Sequence, residues 1–356
     1  MGKKSRKLIY IFIGIIICLL GIGVGIKLKN SSYEENFFYV DSNIEKGLKA
    51  LNLPVIKKEI KKRGFLLRYK KAEEVLKIPL DYPLDKLPSR IDKELSGNRI
   101  KVYKIKENNL KDEYQILVNV GFKGKNTHKL KFILKKAKIA LIIDDFGYSQ
   151  GGNVDSFLKD INTPLTISII PGTPYADLIA RKAHEKGKEV MVHLPMQPKG
   201  KFKNNYKWIV LEKMEDKEIE DIVNKAIEDV PYAVGLNNHM GSLITTQKKP
   251  MEAVLKTVKR KKLYFLDSRT DTGSIALTLA KEMRVKSTKR EVFLDNEKNK
   301  NYIKKQLEEL ISIAERKGEA TGTAHIDPVT AQAIKESLSK LNNKKIQLVY
   351  ASEIVN

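Results

Sequence analysis

The sequence predicts an α/β protein, with a large domain of alternating strands and helices preceded by a small α+β domain and an apolar amino-terminal segment. Continuous apolar runs alternate with amphipathic segments over residues 137–356, a pattern typical of parallel strands joined by crossover helices. Residues 30–136 instead contain short alternating runs, as in an antiparallel sheet. Residues 8–26 are apolar and carry no charge. We therefore expect three parts, residues 1–29, 30–136 and 137–356.

The composition is that of a globular protein with a large basic excess. The 356 residues are 42% hydrophobic and 31% charged, with a formal net charge of +24. Such an excess suits nucleic acid, an anionic membrane surface or acidic wall polymers. However, the lysines are scattered without an aromatic-interleaved arginine patch, as a compositional bias would also produce, so no nucleic-acid partner is expected. The single cysteine, Cys18, leaves His, Asp and Glu as the available metal ligands.

The amino-terminal segment predicts a membrane anchor. Residues 1–7 are strongly basic, and the apolar run that follows approaches the roughly 20 residues that cross a bilayer. A cleaved signal peptide would have a shorter apolar run and an Ala-x-Ala-like site, and no such site follows here. The basic start orients the amino terminus toward the cytoplasm. We expect a single-pass protein of the cytoplasmic membrane whose carboxyl-terminal domains lie outside the cytoplasm.

The small domain contains no motif that carries chemistry, and we interpret it as a spacer or binding module. His128 is expected at its surface. The predicted elements are helices at 42–51 and 84–95, strands at 100–105, 114–120 and 129–134, and a hairpin turn at 121–126.

The large domain predicts seven or eight strand–helix units, which favour a barrel, although the pattern alone also allows an open doubly wound sheet. It has no Gly-x-Gly-x-x-Gly or phosphate-binding loop. After a first strand at 139–143, strands are expected at 165–170, 189–193, 233–236, 263–266, 292–294, 320–324 and 346–350. Helices are expected at 175–186, 216–230, 250–261, 274–283, 302–317 and 329–341.

Polar residues follow these apolar runs one set after another. In a parallel barrel all such strand ends meet at one face, where sites are built. They include Asp144 and Asp145, His193, the Asn237–His239 triplet, Asp267 to Arg269, Asp295, and His325 with Asp327. Each residue alone is weak evidence, because a lone histidine or acid at a strand end is commonly structural. Their convergence indicates a functional site.

Two imidazoles and one carboxylate are a standard ligand set for a divalent metal, zinc above all, with open positions. Asp145, His193 and His239 supply this set. Asp144 is then free to act as a general base on bound water.

Five further residues complete the candidate site. His325 is a third ligand, a general acid or a packed residue, and we expect a general acid. Asp267 and Arg269 either orient it, bind substrate or form a buried ion pair. Asn238 is expected to bind substrate. Trp208, in the long connection 199–213, is either a sugar platform or an anchor for its loop.

Five motifs together resemble the divergent polysaccharide deacetylase family, a branch of the NodB-type carbohydrate esterases. The resemblance runs from about residue 138 to the carboxyl end. The motifs are Ile143-Asp144-Asp145-Phe146-Gly147, His193-Leu194-Pro195-Met196, Asn237-Asn238-His239-Met240-Gly241-Ser242, Phe265-Leu266-Asp267-Ser268-Arg269-Thr270 and Val292-Phe293-Leu294-Asp295-Asn296.

The resemblance implies a distorted (β/α)7–8 barrel and metal-dependent removal of N- or O-acetyl groups from a glycan. It makes Asp144 the base, and Asp145 and His193 metal ligands. The late catalytic histidine of the family falls on His325. Gln197 stands where the family pattern has a second histidine, and His239 is the expected replacement.

We therefore predict a membrane-anchored, zinc-dependent hydrolase that deacetylates an envelope or extracellular glycan, either peptidoglycan-like or an N-acetylhexosamine polymer. Backbone N–H groups of residues 239–241 are expected to help hold the oxyanion. The alternative is an inactive envelope protein that keeps the barrel as a glycan-binding or scaffolding module.

Overall fold

The structure, a computed structural model, describes residues 3–65, 67–97 and 99–356. Residues 1 and 2 of the predicted basic start lie outside this description. The chain divides into two compact units, residues 1–135 and 136–356.

The first unit begins with a single helix, α1 (Lys3–Leu51), which contains both the predicted anchor and the predicted helix at 42–51. Its apolar first part is exposed, whereas Phe37, Val40, Ile44 and Leu48 farther along are buried. Among the described residues, α1 is the helix long and apolar enough to cross a membrane, with a mean hydropathy of 2.8 over its most apolar window. A signal sequence satisfies the same criterion.

A mixed five-stranded sheet packs against α1 and α2 in the first unit. The strand order is β1-β2-β5-β4-β3. The predicted strands β3, β4 and β5 pair antiparallel, as expected, whereas the β2–β5 pair is parallel. Strands β1 and β2 were not predicted, because they are rich in exposed lysines. The elements are β1 (Val55–Arg63), β2 (Tyr69–Lys77), α2 (Leu87–Leu95), β3 (Ile100–Asn109), β4 (Glu113–Phe122) and β5 (Lys125–Lys135).

His128 is buried, so its expected surface position is wrong. Alternate residues of β5 face the core, and His128 lies on the same buried face of the strand as Leu130 and Phe132. Its ring stacks on Phe37 with centroids 4.8 Å apart, and Nε2 lies 3.1 Å from Asp41 Oδ1. Polar partners thus make an inward-facing histidine tolerable.

The second unit is a parallel α/β barrel, which confirms the predicted fold class. Its strands run in the order β11-β10-β9-β8-β7-β6-β13-β12, with β14 also paired to β6. The Arg290 N–H bonds to the carbonyl of Asp267 in β10, and the Glu291 N–H bonds to that of Thr321 in β13. The segment at β11–β12 therefore bridges the two edges of the sheet and closes the ring.

The strands of this barrel are β6 (Ala137–Phe146), β7 (Thr166–Ile169), β8 (Glu189–Met196), β9 (Ala233–Met240), β10 (Tyr264–Asp267), β11 (Ser287–Lys289), β12 (Val292–Phe293), β13 (Glu319–His325) and β14 (Ile346–Val349). Its helices are α3 (Gly152–Leu158), α4 (Ala176–Glu185), α5 (Asp216–Glu228), α6 (Lys248–Arg260), α7 (Ala276–Glu282), α8 (Lys300–Lys317) and α9 (Pro328–Leu341). Helix α3 was not predicted. The barrel strands are buried on both faces, which explains their continuous apolar runs.

Candidate metal centre

The end of β6 is distorted where the two aspartates lie. The pairing of β6 with β7 shifts register between Ile143 and Phe146, and Asp145 has a φ of +69°. A left-handed conformation is unfavourable for a residue other than glycine, and such strain is concentrated at functional sites. Gly147 follows with a φ of +118°, and a Cβ there would lie 2.1 Å from the Thr173 hydroxyl. Only glycine therefore fits this turn.

One possible ligand atom from each of three residues, Asp145, His193 and His239, lies close to the other two. Asp145 Oδ1 lies 3.3 Å from His193 Nε2 and 3.1 Å from His239 Nδ1. The two imidazole nitrogens are themselves 3.1 Å apart. Tetrahedral Zn²⁺, with bonds of about 2.0–2.1 Å, separates its ligand atoms by about 3.3–3.4 Å. The three atoms thus form one face of a tetrahedron of nearly the right size.

Asp145 Oδ1 is buried and accepts no hydrogen bond of acceptable geometry. A buried, orphaned carboxylate oxygen is rare, and a cation satisfies it. Burial opposes charge on Asp145, but the neighbouring imidazoles of His193 and His239 outweigh it and lower the pKa of Asp145. The residues present therefore fit a divalent metal.

Asn237 orients His193 from behind. Its amide oxygen accepts from His193 Nδ1 at 2.8 Å and from the Ser168 hydroxyl at 2.7 Å. Its amide nitrogen donates to Asp144 Oδ1 at 2.9 Å. A donating Nδ1 leaves the Nε2 lone pair directed at the metal position, which is the usual support for a ligating histidine.

Tyr206 supports His239 in the same way, although it comes from the long connection between β8 and α5. Its hydroxyl lies 2.8 Å from His239 Nε2, so that Nδ1 is left facing Asp145. Burial lowers the pKa of His239, and the nearby His193 lowers it further. Burial also opposes charge on His193, but Asp144 and Asp145 together raise the pKa of His193 to about 9.

His325 lies on the other side of Asp145 and is paired with Asp295. Its Nε2 is 3.8 Å from Asp145 Oδ2, and its Nδ1 is 3.2 Å from Asp295 Oδ1. The other Asp295 oxygen accepts from the His325 N–H and from the Thr330 hydroxyl. The bond to Asp295 raises the pKa of His325, and burial opposes it. This arrangement holds a proton on a partly exposed imidazole beside the metal position.

Asp267 and Arg269 are engaged in their own loop, and Asp295 supplies the hydrogen bond that orients His325. The Asp267 carboxylate accepts from the Arg269 N–H and from the Ser274 hydroxyl, both at 2.8 Å. The Arg269 guanidinium donates to the carbonyls of Thr272 and Ser274. Asp267 is fully buried, and these bonds stabilise the loop after β10.

Asn238, Trp208 and Gln197 also make bonds within the fold. Asn238 is buried and links the β9 end to the N–H of Ser268. The Trp208 Nε1–H donates to Asp229, and its ring lies near two lysines, as expected of a loop anchor. The Gln197 side chain accepts from the Glu212 N–H at 2.9 Å.

Sequence reasoning missed Arg290 and Tyr148 as neighbours of the site. Burial lowers the pKa of Arg290, while Asp144 and Asp267 favour its charge. Tyr148 is more than half exposed, and its partial burial and the nearby Asp145 raise its pKa. Tyr148 follows the Asp-Asp-Phe-Gly turn directly, so proximity in sequence was an available signal. The position of Arg290 near the site depends on closure of the strand ring, which the sequence does not reveal.

A second group, Asp41, Glu74 and His128, lies in the first unit. Here Lys58 already provides the cation, with its Nζ 2.7 Å from Asp41 Oδ1 and 3.5 Å from Glu74 Oε1. The group is therefore a buried ion-pair network rather than a second candidate centre.

The fold and site together define an α/β-barrel protein with a candidate metal centre at the carboxyl edge of its strands. The chain belongs to the divergent polysaccharide deacetylase family, whose model matches residues 141–355. This confirms the family resemblance.

Two relatives and one solved structure are similar to part of this chain. The chain is 38% identical over 222 residues to the uncharacterized protein YibQ of Escherichia coli, covering 62% of this chain and 67% of YibQ. It is 34% identical over 218 residues to an uncharacterized protein of Haemophilus influenzae, covering 61% and 76%. An uncharacterized protein of Agrobacterium tumefaciens superposes with a TM-score of 0.59 at 22% identity, covering 62% of this chain and 89% of the other, which shows the shared fold.

Proposed function

We propose that the barrel is a zinc-dependent deacetylase that hydrolyses acetyl groups on a glycan. The observation that carries the proposal is the triangle of Asp145, His193 and His239, whose edges fit a tetrahedral cation. When bound, the cation would polarise the acetyl carbonyl and make water a better nucleophile. Family membership supports the glycan as substrate.

Asp144 and His325 divide the proton transfers in this proposal. They are paired across adjacent strands, β6 and β13. Asp144, held by Asn237, accepts a proton from the attacking water. As the bond from the acetyl carbon to the sugar nitrogen or oxygen breaks, His325 Nε2 donates a proton to the leaving atom. The products are acetate and a free amine or hydroxyl.

The exposed Tyr148 and the backbone N–H groups of residues 239–241 complete the proposed site. A tyrosine ring at the rim suits the apolar face of a sugar. The N–H groups near the turn at Gly241, whose φ is +85°, would stabilise the developing oxyanion.

The location of the substrate follows from the apolar part of α1. We place residues 8–26 across the cytoplasmic membrane, with residues 1–7 in the cytoplasm and residues 27–356 outside, because the apolar side chains are exposed and the start is basic. The substrate is then an envelope glycan, peptidoglycan-like or an N-acetylhexosamine polymer. A cleaved signal sequence instead predicts a shortened mature chain without the apolar segment, which mass spectrometry of the total cellular and released protein detects.

Acetate release tests this function. The full chain in detergent, loaded with zinc, is incubated with acetylated peptidoglycan fragments, chitin oligosaccharides and O-acetylated glycans. Wild type should release acetate from at least one, and Asp144→Asn or His325→Gln should lower the rate about 10²- to 10⁴-fold. Asp177→Asn, which alters an exposed pair with Arg181 on α4, is the matched control and should retain activity. A metal-loaded chain that binds glycans but releases no acetate would support the scaffolding alternative.

A further inference from the structure

The basic turns of the small sheet lie at the end of the sheet that is nearest to where the apolar part of α1 ends. Strand β2 runs parallel to β5, with Ala72 opposite His128, so the β1–β2 turn and the β4–β5 turn are at the same end. Asn30 of α1 reaches this end, where its side-chain oxygen accepts from the Arg68 N–H at 2.8 Å. We call this end of the first unit the basal surface.

The basal surface lies close to the apolar segment along one continuous helix. The apolar run ends at Ile26, four residues before Asn30. Four residues of α-helix span only about 6 Å. This proposal rests on the membrane anchoring proposed above. If residues 8–26 span the membrane, this short distance places the basal surface at the depth of the lipid headgroups.

The basal surface contains a cavity of about 520 Å³ with a strongly cationic lining. No acidic residue is among the described lining residues. Glu34, an exposed acid outside the lining, pairs with one of the lysines, Lys70, at 3.0 Å. The lining lysines are Lys29, Lys70, Lys71, Lys123 and Lys125.

Aromatic rings are interleaved with these lysines. The Tyr33 and Tyr69 rings lie 6.5 Å apart, and the Lys125 ammonium lies 3.9 Å from the Tyr33 ring centre. The bond from Lys125 lowers the pKa of Tyr33. A cationic, aromatic-walled cavity suits an anionic group joined to an apolar or glycerol-like body.

Phe65 provides an independent observation. It is 93% exposed at the β1–β2 turn, flanked by Arg63 and Arg68. The turn requires Gly64, since its φ is +86° and a Cβ there would lie 2.1 Å from the Leu67 carbonyl oxygen. A fully exposed aromatic between basic residues is unfavourable in water but typical of membrane interfaces.

We propose that the basal surface binds the headgroups of anionic phospholipids in the leaflet from which α1 emerges. The lysines surround the lipid phosphates, and Phe65 inserts at the boundary between headgroups and acyl chains. Charge complementarity and the exposed Phe65 favour anionic lipid over a soluble anion, which needs no apolar contact.

Site-specific fluorescence in lipid nanodiscs tests this proposal on the full chain. In a Cys18→Ser background, an environment-sensitive fluorophore is attached at Phe65→Cys or at the control Leu110→Cys. Leu110 is also an exposed apolar turn residue, but it lies at the opposite end of β3 and β4. With phosphatidylglycerol discs, the label at 65 should be blue-shifted and quenched at least threefold more by brominated acyl chains than the label at 110.

Three comparisons make the result decisive. Phosphatidylcholine discs, or Lys70→Gln/Lys71→Gln/Lys123→Gln/Lys125→Gln in phosphatidylglycerol, should abolish most of the difference. Reversal by inorganic phosphate alone would overturn the assignment to lipid, and equal signals in both lipids would overturn headgroup recognition. Equal quenching at 65 and 110 would overturn the whole proposal.

The failure of this proposal is separable from that of the proposed function. Acetate release from soluble oligosaccharides by the same labelled chains reports on the barrel alone. A chain that stays in discs with a water-exposed label at 65 refutes only lipid binding by the basal surface. A chain that leaves the discs refutes the anchoring and the basal-surface proposal together.

Discussion

Replacement of Asp295 by asparagine should move the alkaline limit of activity to lower pH. In the proposed mechanism His325 must carry a proton before it can donate one. Its bond to Asp295 is the main cause of its raised pKa, so the Asp295→Asn change should lower that pKa. Because activity is lost as pH rises through the pKa of the acid, a lower pKa means loss at lower pH.

The size of this shift follows from the geometry. A hydrogen bond to a charged group contributes about 1.5–3 kcal/mol. The His325 side chain is 40% exposed and the bond is 3.2 Å long, so solvent screening reduces this to about 1 kcal/mol. Since one pKa unit is about 1.4 kcal/mol, the expected displacement is roughly 0.7 unit.

The assay is the pH dependence of acetate release by the zinc-loaded full chain, compared with an NMR titration of His325. Asp267→Asn is the matched control, because Asp267 is also a buried strand-end carboxylate but bonds within its own loop. This control should leave the alkaline limit in place. An unshifted limit in Asp295→Asn, or an equal shift in Asp267→Asn, would refute the assignment of His325 and Asp295.

Two further predictions concern the support of His239 and the ion pairs of the small domain. Tyr206→Phe removes the hydroxyl 2.8 Å from His239 and should weaken zinc binding about tenfold in a competition titration; an unchanged affinity would contradict this support. Lys58→Met leaves Glu74, which is 1% exposed, without its cation. The free energy of opening β1–β2, measured by hydrogen exchange, should therefore fall by about 1–3 kcal/mol. Burial raises the pKa of Glu74, so this deficit should be largest near pH 8 and shrink near pH 4.5 as the carboxyl becomes neutral. A deficit that does not change with pH would contradict the role of Glu74.

The barrel was predictable because both faces of its strands are buried. Burial produces the continuous apolar runs at β6 and β8, and amphipathic helices separate the strands. The strands of the small domain were harder to predict. Strand β1 is almost entirely exposed, and its lysine-rich sequence is typical of a coil. The continuity of α1 was also missed, since its apolar and amphipathic parts follow different patterns within one helix.

The sequence indicated which residues meet at the site but not which partners hold them. Strand ends converge in any parallel barrel, which was enough to associate Asp145 with His193 and His239. The supporting contacts of His325 with Asp295 and of His239 with Tyr206 depend on side-chain directions and on the path of a long loop. These contacts become visible only in three dimensions.

The metal content of the purified full chain tests the central claim most directly. After reconstitution with zinc and removal of the excess, elemental analysis should find one equivalent in wild type and in His325→Gln, because His325 is not a ligand in this account. Asp145→Ala should lose it, since it removes the buried orphaned oxygen between the two imidazoles. Wild type without metal, or Asp145→Ala with a full equivalent, would contradict the account.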